Sequence, residues 1–355
     1  MNSVMIIAID GVWYSKADLL LKAHSFADIE LPAFRKSFWS FIIEWFNERD
    51  FVELKTSGST GISKNIVVEK LKMQASAQRT ISYLGLKKNS SALICLSCEY
   101  VAGKMMVVRA LEACMNIVLV EPSSTPLKNI TADFDFTAMV PLQILSYRED
   151  SAILNRVKTI IVGGALVKPD VISVLNGCDA VAYETYGMTE TVSHIALRRI
   201  NGSEAQSCFT ALEGVSISCD GRGALMIEDR FTLDNMLITN DLCNIVSANE
   251  FVILGRIDNV INSGGIKISP EMIEKQIAEY IDVEFAASWI ADERLGQKMV
   301  LVTAKPILEN IFALLNSKLD KFSRFTTRLV IDELPKTPNN KIDRNALCAI
   351  IQAIE

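Results

Sequence analysis

The densest group of hydrogen-bonding residues in the chain is Thr56-Ser57-Gly58-Ser59-Thr60-Gly61-Ile62-Ser63-Lys64, placed directly after the strand-like run FVELK. Its glycines let the backbone turn with N–H groups facing inward, its hydroxyls add donors, and Lys64 adds a positive charge, a combination that suits a polyphosphate. It is not the P-loop of kinases and GTPases. That pattern needs Gly directly before the lysine and Ser or Thr directly after it, whereas Ser63 and Asn65 flank Lys64 here. A second group, Tyr183-Glu184-Thr185-Tyr186-Gly187-Met188-Thr189-Glu190, follows a strand pattern and leads into a polar stretch containing His194. It offers an aromatic that could stack on a purine, a hydroxyl that could reach a phosphate and a carboxylate that could hold Mg²⁺. Upstream, Val162-Gly163-Gly164-Ala165 ends another strand pattern, where missing side chains would let a flat base lie against the backbone.

Further polar segments are Thr239-Asn240-Asp241, Gly255-Arg256-Ile257-Asp258-Asn259, Ser263-Gly264-Gly265-Ile266-Lys267 and Pro335–Arg344, the last containing Lys341. Taken singly, each has a bland reading. The first loop is a surface turn, the second group a strand end with a Gly turn, and an isolated Asp, Gly-Arg pair or terminal Lys a solvated surface feature. Their joint order carries the argument.

These segments need a framework to hold them. Short apolar runs alternate with helical patterns: Ala92–Leu96, a helix over 101–114, Ile117–Val120, Thr159–Val162 and Ala180–Tyr183. That rhythm predicts an α/β fold with a largely parallel sheet. The segment Phe38–Phe46 reads as a helix with an aromatic face, and the tryptophans of the first fifty residues read as packing residues. From Ser216 the texture changes to short strands. Beyond Ser269 it predicts a helix from Pro270 to Tyr280, strands near 285–290 and 298–304, a helix through Asp320 and a strand near 327–331. We therefore expect a large domain over 1–257 and a small α+β domain over 258–355.

Composition narrows the function classes. With 36 Lys plus Arg against 42 Asp plus Glu, the net charge is −6 and no basic block exists to neutralise a nucleic-acid backbone. Long apolar stretches are broken by charge, as Arg109 and Glu112 break Val101–Val120, so no stable membrane insertion is expected. The N-terminus has neither a basic n-region nor a small-residue cleavage site, so a cytoplasmic protein is expected. The eight cysteines lie in apolar contexts and read as reduced, buried thiols; Cys95 and Cys98 form a CxxC within a strand-like run. Two histidines, His24 and His194, exclude a His-rich zinc site. Neither a Rossmann GxGxxG nor a GxSxG nucleophile elbow with a plausible triad is present.

In this order, the polar segments resemble the adenylate-forming superfamily of acyl-CoA and aryl-CoA synthetases, luciferases and peptide-synthetase adenylation domains. The family patterns TSGSTGxPK, YGxTE, TGD, GRxDDxIxxxGxxIxPxEIE and PKTxxGKIxR read here as TSGSTGISK, YGMTE, TND, GRIDNVINSGGIKISPEMIE and PKTPNNKIDR. The resemblance implies a large α/β domain followed by a small mobile α+β domain, and a two-step reaction. A carboxylate attacks the α-phosphate of ATP, expelling pyrophosphate, and a thiol then displaces AMP from the acyl-adenylate. It implies that Thr56, Ser57, Gly58, Ser59, Thr60, Gly61 and Lys64 hold the β- and γ-phosphates, that Gly164 and Ala165 line the adenine site, and that Tyr186, next to Gly187, stacks on adenine. Thr189 would contact the α-phosphate, Glu190 would hold Mg²⁺, and Asp241 would take the ribose hydroxyls with Arg256 nearby and Lys267 among the cofactor-binding groups. Lys341 matches the lysine that bridges the acyl carboxylate and the α-phosphate, and Asp258 the hinge about which the small domain swings. ATP, Mg²⁺ and CoA are the implied cofactor and co-substrates. Family members are often dimers, and the sequence itself identifies no interface.

The departures from these patterns include Ser63 for the usual Pro, Asn340 for the Gly before the lysine, and Asn240 for the middle Gly of TGD. None supplies a reacting group. The phosphate loop begins at residue 56, early for the family, which implies a reduced N-terminal domain. Within the superfamily, LSCEYVAGKMMVVRAL and YGMTET-x-S resemble o-succinylbenzoate-CoA ligases of menaquinone biosynthesis. There Tyr100, Ala102, Gly103 and Arg109 occupy the positions of that group's aromatic or His, small-Gly pair and Arg. A dicarboxylate substrate needs one carboxylate recognised while the other is activated, and Arg109 or Lys104 could supply that counter-charge. Two other functions fit the same motifs: an adenylating domain that loads another acid onto a carrier protein, and a non-catalytic nucleotide- or acyl-binding module. Retention of both Lys341 and Glu190 weighs against the second.

Overall fold

The computed structural model describes residues 5–26, 29–55, 65–337 and 342–354. The chain divides into two compact units, Met1–Ser216 with Glu228–Met236, and Ile217–Ile227 with Leu237–Glu355. The boundary expected at 257/258 falls inside the second unit, which takes in the antiparallel strands before Asp258.

The first unit runs β1 (Ile6–Ile9), β2 (Val12–Ser15), α1 (Lys16–Ser25), α2 (Ala33–Phe46), the hairpin β3 (Phe51–Lys55) and β4 (Asn65–Glu69), α3 (Lys70–Leu84), β5 (Ser91–Ile94), α4 (Val101–Glu112), β6 (Asn116–Leu119), β7 (Phe134–Met139), α5 (Pro141–Leu145), β8 (Val157–Val162), α6 (Pro169–Asn176), β9 (Val181–Gly187), β10 (His194–Arg199) and β11 (Phe209–Ala211). Its main sheet has the order β11-β10-β9-β8-β7-β5-β6-β1-β2. The strands from β9 to β1 are mutually parallel, with β10 and β11 antiparallel on one flank and β2 on the other. The chain passes from β5 through α4 to β6 and then crosses back to β7, so the strand order reverses at β5 and β7. In open parallel sheets, ligands bind beyond the carboxyl ends of the strands near such a reversal. The loops after β5, β8 and β9, at residues 95–100, 163–165 and 187–193, leave those ends.

Alternation along the strands fills both faces. Ala92 and Ile94 of β5 pack with α2, α3 and α4 around Phe41, Met73 and Met105, whereas Leu93 and Cys95 pack on the other face with Tyr147, Val171 and Leu175. A helix wrapped on all sides must be apolar almost all round, and every residue of α4 from Gly103 to Leu111 is buried. Two of these, Lys104 and Arg109, are charged. In α2 the aromatic face is buried through Phe38, Trp39, Phe41 and Trp45, but Trp13 on the flanking strand β2 is 58% exposed. Among the described residues, no helix is long and apolar enough to cross a membrane.

In the second unit, β12 (Val215–Cys219), which begins at the end of the first unit, β13 (Ala224–Asp229), β14 (Leu237–Ser247) and β15 (Glu250–Arg256) lie side by side in that order. They are followed by β16 (Ile261–Ser263), β17 (Ile266–Ile268), α7 (Pro270–Ile277), β18 (Phe285–Asp292), β19 (Gly296–Thr303), α8 (Glu309–Ser317), β20 (Thr327–Val330) and α9 (Arg344–Ile354). A second sheet, β17-β16-β19-β18 with β20 beside β19, separates two small cores. Arg344, the last residue of PKTPNNKIDR, opens α9 and clamps this unit. Its guanidinium donates to Glu274 of α7 at 2.7 Å and to the Ala287 carbonyl of β18 at 2.7 Å, while Glu274 accepts the Ala287 N–H at 2.8 Å. Replacing Arg344 by Met strands the Glu274 carboxylate in this packed corner, for which about 3 kcal/mol of lost stability is expected. Chemical denaturation reads this directly, and an unchanged midpoint would refute the clamp.

Candidate active site

Two of the segments singled out in the sequence lie at the ends of parallel strands of the main sheet. Gly163, Gly164 and Ala165 follow the last residue of β8, with Gly164 exposed. Tyr186 is near the end of β9, its ring 5.8 Å from that of Phe209 on β11. Thr189 and Glu190 lie in the turn between β9 and β10, Glu190 exposed.

That turn is tightly built. Gly187 pairs with His194 across β9 and β10, and a Cβ on Gly187 would lie 2.4 Å from the Ser193 carbonyl oxygen and 2.5 Å from the His194 Cα. Only glycine permits so close a return. Inside the turn, the Thr191 hydroxyl donates to the Ser193 carbonyl at 2.7 Å and accepts the Met188 N–H at 3.0 Å. Val192 is buried with φ of 68°, a left-handed conformation that costs a β-branched residue about 1–3 kcal/mol. The surrounding hydrogen bonds hold that strain, and with it the direction of Ser193 and His194.

Beneath the turn lies a buried cation. Arg109 is 2% exposed, and among the described residues no carboxylate pairs with it. Its Nη2 donates to the Ser193 hydroxyl at 2.8 Å and approaches His194 Nδ1 at 3.5 Å, and its buried Nε has no hydrogen-bond partner. Burial lowers the guanidinium pKa to about 9, so the group stays charged at neutral pH. Opposite, Arg79 of α3 is buried with Asp229 at 2.7 Å, a pair that leaves Arg109 uncompensated. His194 sits between the two guanidiniums. Its burial, then Arg109 and Arg79, push its pKa well below the usual histidine value, so the ring is neutral.

Lys104 is engaged elsewhere. Its ammonium contacts Glu44 of α2 at 2.7 Å and the Glu53 carbonyl of β3 at 2.9 Å, which ties α4 to those elements. Gly103 has a packing reason: a Cβ there would stand 2.2 Å from the Ser97 carbonyl oxygen, where α4 presses on the loop after β5. Tyr100 is half exposed and provides the residue before the first turn of α4. In the second unit, Asp241 and Arg256 face each other across β14 and β15 at 3.1 Å, and Arg256 also reaches Asp258 at 3.1 Å. Asn240 donates to the same Asp258 carboxylate at 3.2 Å, and Lys267 is exposed on β17. Thr56 to Lys64 and Lys341 lie outside the described residues.

Among the described residues, no group of three or more His, Cys, Asp or Glu is placed to hold a metal. A lone exposed carboxylate at Glu190 suits Mg²⁺, which is commonly held by one or two carboxylates together with substrate phosphates. The eight cysteines are free thiols, with Cys95, Cys98 and Cys243 buried, and burial raises Cys95 to about 11 and Cys98 to about 12. Such thiols are inert at neutral pH, in keeping with a packing role for the CxxC.

An open parallel sheet with glycine-rich strand ends, followed by the small unit that carries the PKTPNNKIDR segment, defines the architecture of an adenylate-forming enzyme. A family model described as AMP-binding enzyme matches residues 54–218. The crystal structure of an acyl-CoA synthetase (AMP-forming)/AMP-acid ligase II-like protein from Dyadobacter fermentans is 34% identical, covering 95% of this chain and 98% of its own with a TM-score of 0.63. A probable 2-succinylbenzoate--CoA ligase from Mycobacterium tuberculosis is 25% identical over 331 residues, 82% of each chain. The O-succinylbenzoate Coenzyme A Synthetase from Bacillus subtilis, solved with ATP and magnesium ion, shares the fold at 18% identity and a TM-score of 0.74, covering 98% of this chain and 97% of its own. The chain belongs to the AMP-binding enzyme family of AMP-forming acyl-CoA synthetases and acid ligases.

His194 and Ser193 as partners of Arg109 were not assigned from the sequence; the available signal was a lone histidine placed next to YGMTE. A neutral buried histidine has a thermodynamic consequence. The unfolded chain binds a proton near pH 6.5, and the folded one only well below it. Folding stability therefore falls as pH drops through and below that value, by up to about 1.4 kcal/mol per pH unit for this one proton. Urea denaturation between pH 7 and 5 is expected to show a shallower decline for His194→Gln than for the wild type, and equal slopes would contradict the neutral ring.

Proposed function

We propose that this enzyme ligates o-succinylbenzoate to CoA in the cytoplasm, through an acyl-adenylate made from ATP with Mg²⁺. The observation that carries the substrate choice is Arg109, a buried guanidinium with no carboxylate partner among the described residues, bound to Ser193 just beyond Thr189 and Glu190. An acid activated beside Thr189 and bearing a second carboxylate supplies the missing anion. Lys104 cannot do so while its ammonium is held by Glu44. The names of several relatives point to the same acid.

In this reading, Thr56, Ser57, Gly58, Ser59, Thr60, Gly61 and Lys64 hold the β- and γ-phosphates. Gly164, Ala165, Tyr186 and Gly187 receive adenine, and Asp241, with Arg256, takes the ribose. Glu190 holds the Mg²⁺ that screens the phosphates, and Thr189 orients the α-phosphate. Lys341 bridges the acid and the α-phosphate as pyrophosphate leaves. The small domain, 258–355, then turns about Asp258 and brings the CoA thiol to the adenylate. The Asp258 carboxylate, met by Arg256 and Asn240, is tied to its neighbours by contacts that a turn there must exchange.

Pyrophosphate release with ATP, Mg²⁺ and o-succinylbenzoate, followed by CoA-dependent thioester formation, is the direct test. Adenylation of a different acid would discard this substrate, and silence across a panel of acids would discard the activity. Lys341→Ala is expected to abolish adenylation while sparing thiol transfer from preformed acyl-adenylate; equal loss of both half-reactions refutes its role. Arg109→Met is expected to raise KM for the dicarboxylate about 10- to 100-fold, the value of one charge-assisted contact.

A further inference from the structure

Among the described residues, no acid orients the Arg109 guanidinium, as one usually does for a buried arginine. Its neighbours are a hydroxyl and an imidazole, and the imidazole is itself fixed from behind. His194 Nε2 lies 2.9 Å from the Thr80 hydroxyl of α3, and that hydroxyl lies 3.2 Å from the Ser76 carbonyl one helical turn earlier. Thr80 has a single proton, and the Ser76 carbonyl can only accept it. Arg109 can only donate, so the Nδ1 that faces it accepts with its lone pair and the ring proton lies on Nε2, where the Thr80 oxygen accepts it while the Thr80 hydroxyl donates to Ser76. The whole string from α3 to α4 is buried: Ser76, Thr80, His194 and Arg109 are each no more than 6% exposed. At the near end, Gly187 and the left-handed Val192 deliver His194 to this place.

We propose that His194, locked by Thr80 as the Nε2–H tautomer, is a positioning residue that aims the Arg109 guanidinium at the second carboxylate of the acid substrate. The inference rests on the reading that Arg109 meets that carboxylate. An imidazole can orient the guanidinium without neutralising it, whereas an Asp or Glu at 194 would occupy the charge that the substrate needs. The string thus sets discrimination between a dicarboxylate and a monocarboxylate, and leaves the reacting end of the acid untouched.

The test compares kcat/KM for adenylation of o-succinylbenzoate with that of 4-oxo-4-phenylbutanoate, which lacks the ring carboxylate, in wild type, Arg109→Met, His194→Leu, His194→Gln and Thr80→Val. A melting temperature for each variant controls for folding. His194→Leu and Thr80→Val are expected to lower the dicarboxylate preference about tenfold through KM for the dicarboxylate, with kcat for the monocarboxylate unchanged. His194→Gln, whose amide offers an acceptor and a donor, is expected to restore most of it. Should His194→Leu fail to fold, the near-isosteric Thr80→Val carries the test. Wild-type preference is expected to be flat between pH 5.5 and 8, and a step near 6.5 would overturn the neutral tautomer on which the inference depends. A preference that survives in both His194→Leu and Thr80→Val while Arg109→Met abolishes it would overturn the role of His194 alone. A preference untouched by Arg109→Met would overturn both, and would locate the failure in the reading beneath.

Discussion

A guanidinium in a helix that is covered on every side is the constraint around which the catalytic unit is arranged. Burying an unpaired cation is costly, and the neighbours of Arg109 are those that lessen this cost without cancelling the charge. Ser193 offers a hydroxyl oxygen and His194 a lone pair. The requirement that His194 stay neutral follows, since a protonated ring would face Arg109 and Arg79 with a third positive charge. The same need explains the geometry of the turn above. Without glycine at 187 the turn could not close upon Ser193, and the buried Val192 just before Ser193 takes the left-handed conformation.

Helix α4 carries two buried cations five residues apart, and their fates differ because five residues rotate a helix by about 140°. Lys104 looks toward α2 and β3, where Glu44 and a strand carbonyl receive it. Arg109 looks toward α3 and the start of β10, where none of the described residues offers it an acid. One cation fastens the helix to its surroundings and the other remains available. A search for basic residues in an apolar helix finds both and cannot rank them; the ranking needs the partner that comes from elsewhere in the chain.

That division also describes how far the sequence could be read. Elements whose pattern is local were legible: the apolar run 92–96 is β5, the helix over 101–114 is α4, and the helix, strands and turns after Pro270 recur nearly as expected, with α7 stopping at Ile277 before a short tight turn. Contacts between distant segments were not. Thr80 and His194 are 114 positions apart, and Arg79 and Asp229 are 150 apart, so no periodicity links them. The affiliation of β12 to β15 with the C-terminal half was hidden for the same reason, since it depends on which strands pair. Glycines read as ligand-facing, such as Gly103 and Gly187, have backbone neighbours that already require them, a demand that a list of motifs does not reveal. Trp13 shows the converse: an aromatic in an aromatic-rich segment that the edge strand turns outward.

The hairpin β3–β4 gives the segment between its strands an entropic setting of its own. Lys55 and Asn65 are register partners, so the two ends of residues 56–64 are held at the spacing of adjacent strands, about 5 Å apart. Closing a flexible loop of that size from the unfolded chain carries a conformational cost that grows with the logarithm of its length. Here the cost is met during folding by the ladder from Phe51–Glu69 to Lys55–Asn65, with Val52 and Leu54 buried in the core. If residues 56–64 hold the phosphates as proposed, substitutions among them act on nucleotide binding and leave the ladder on either side, from Phe51–Glu69 to Lys55–Asn65, in place.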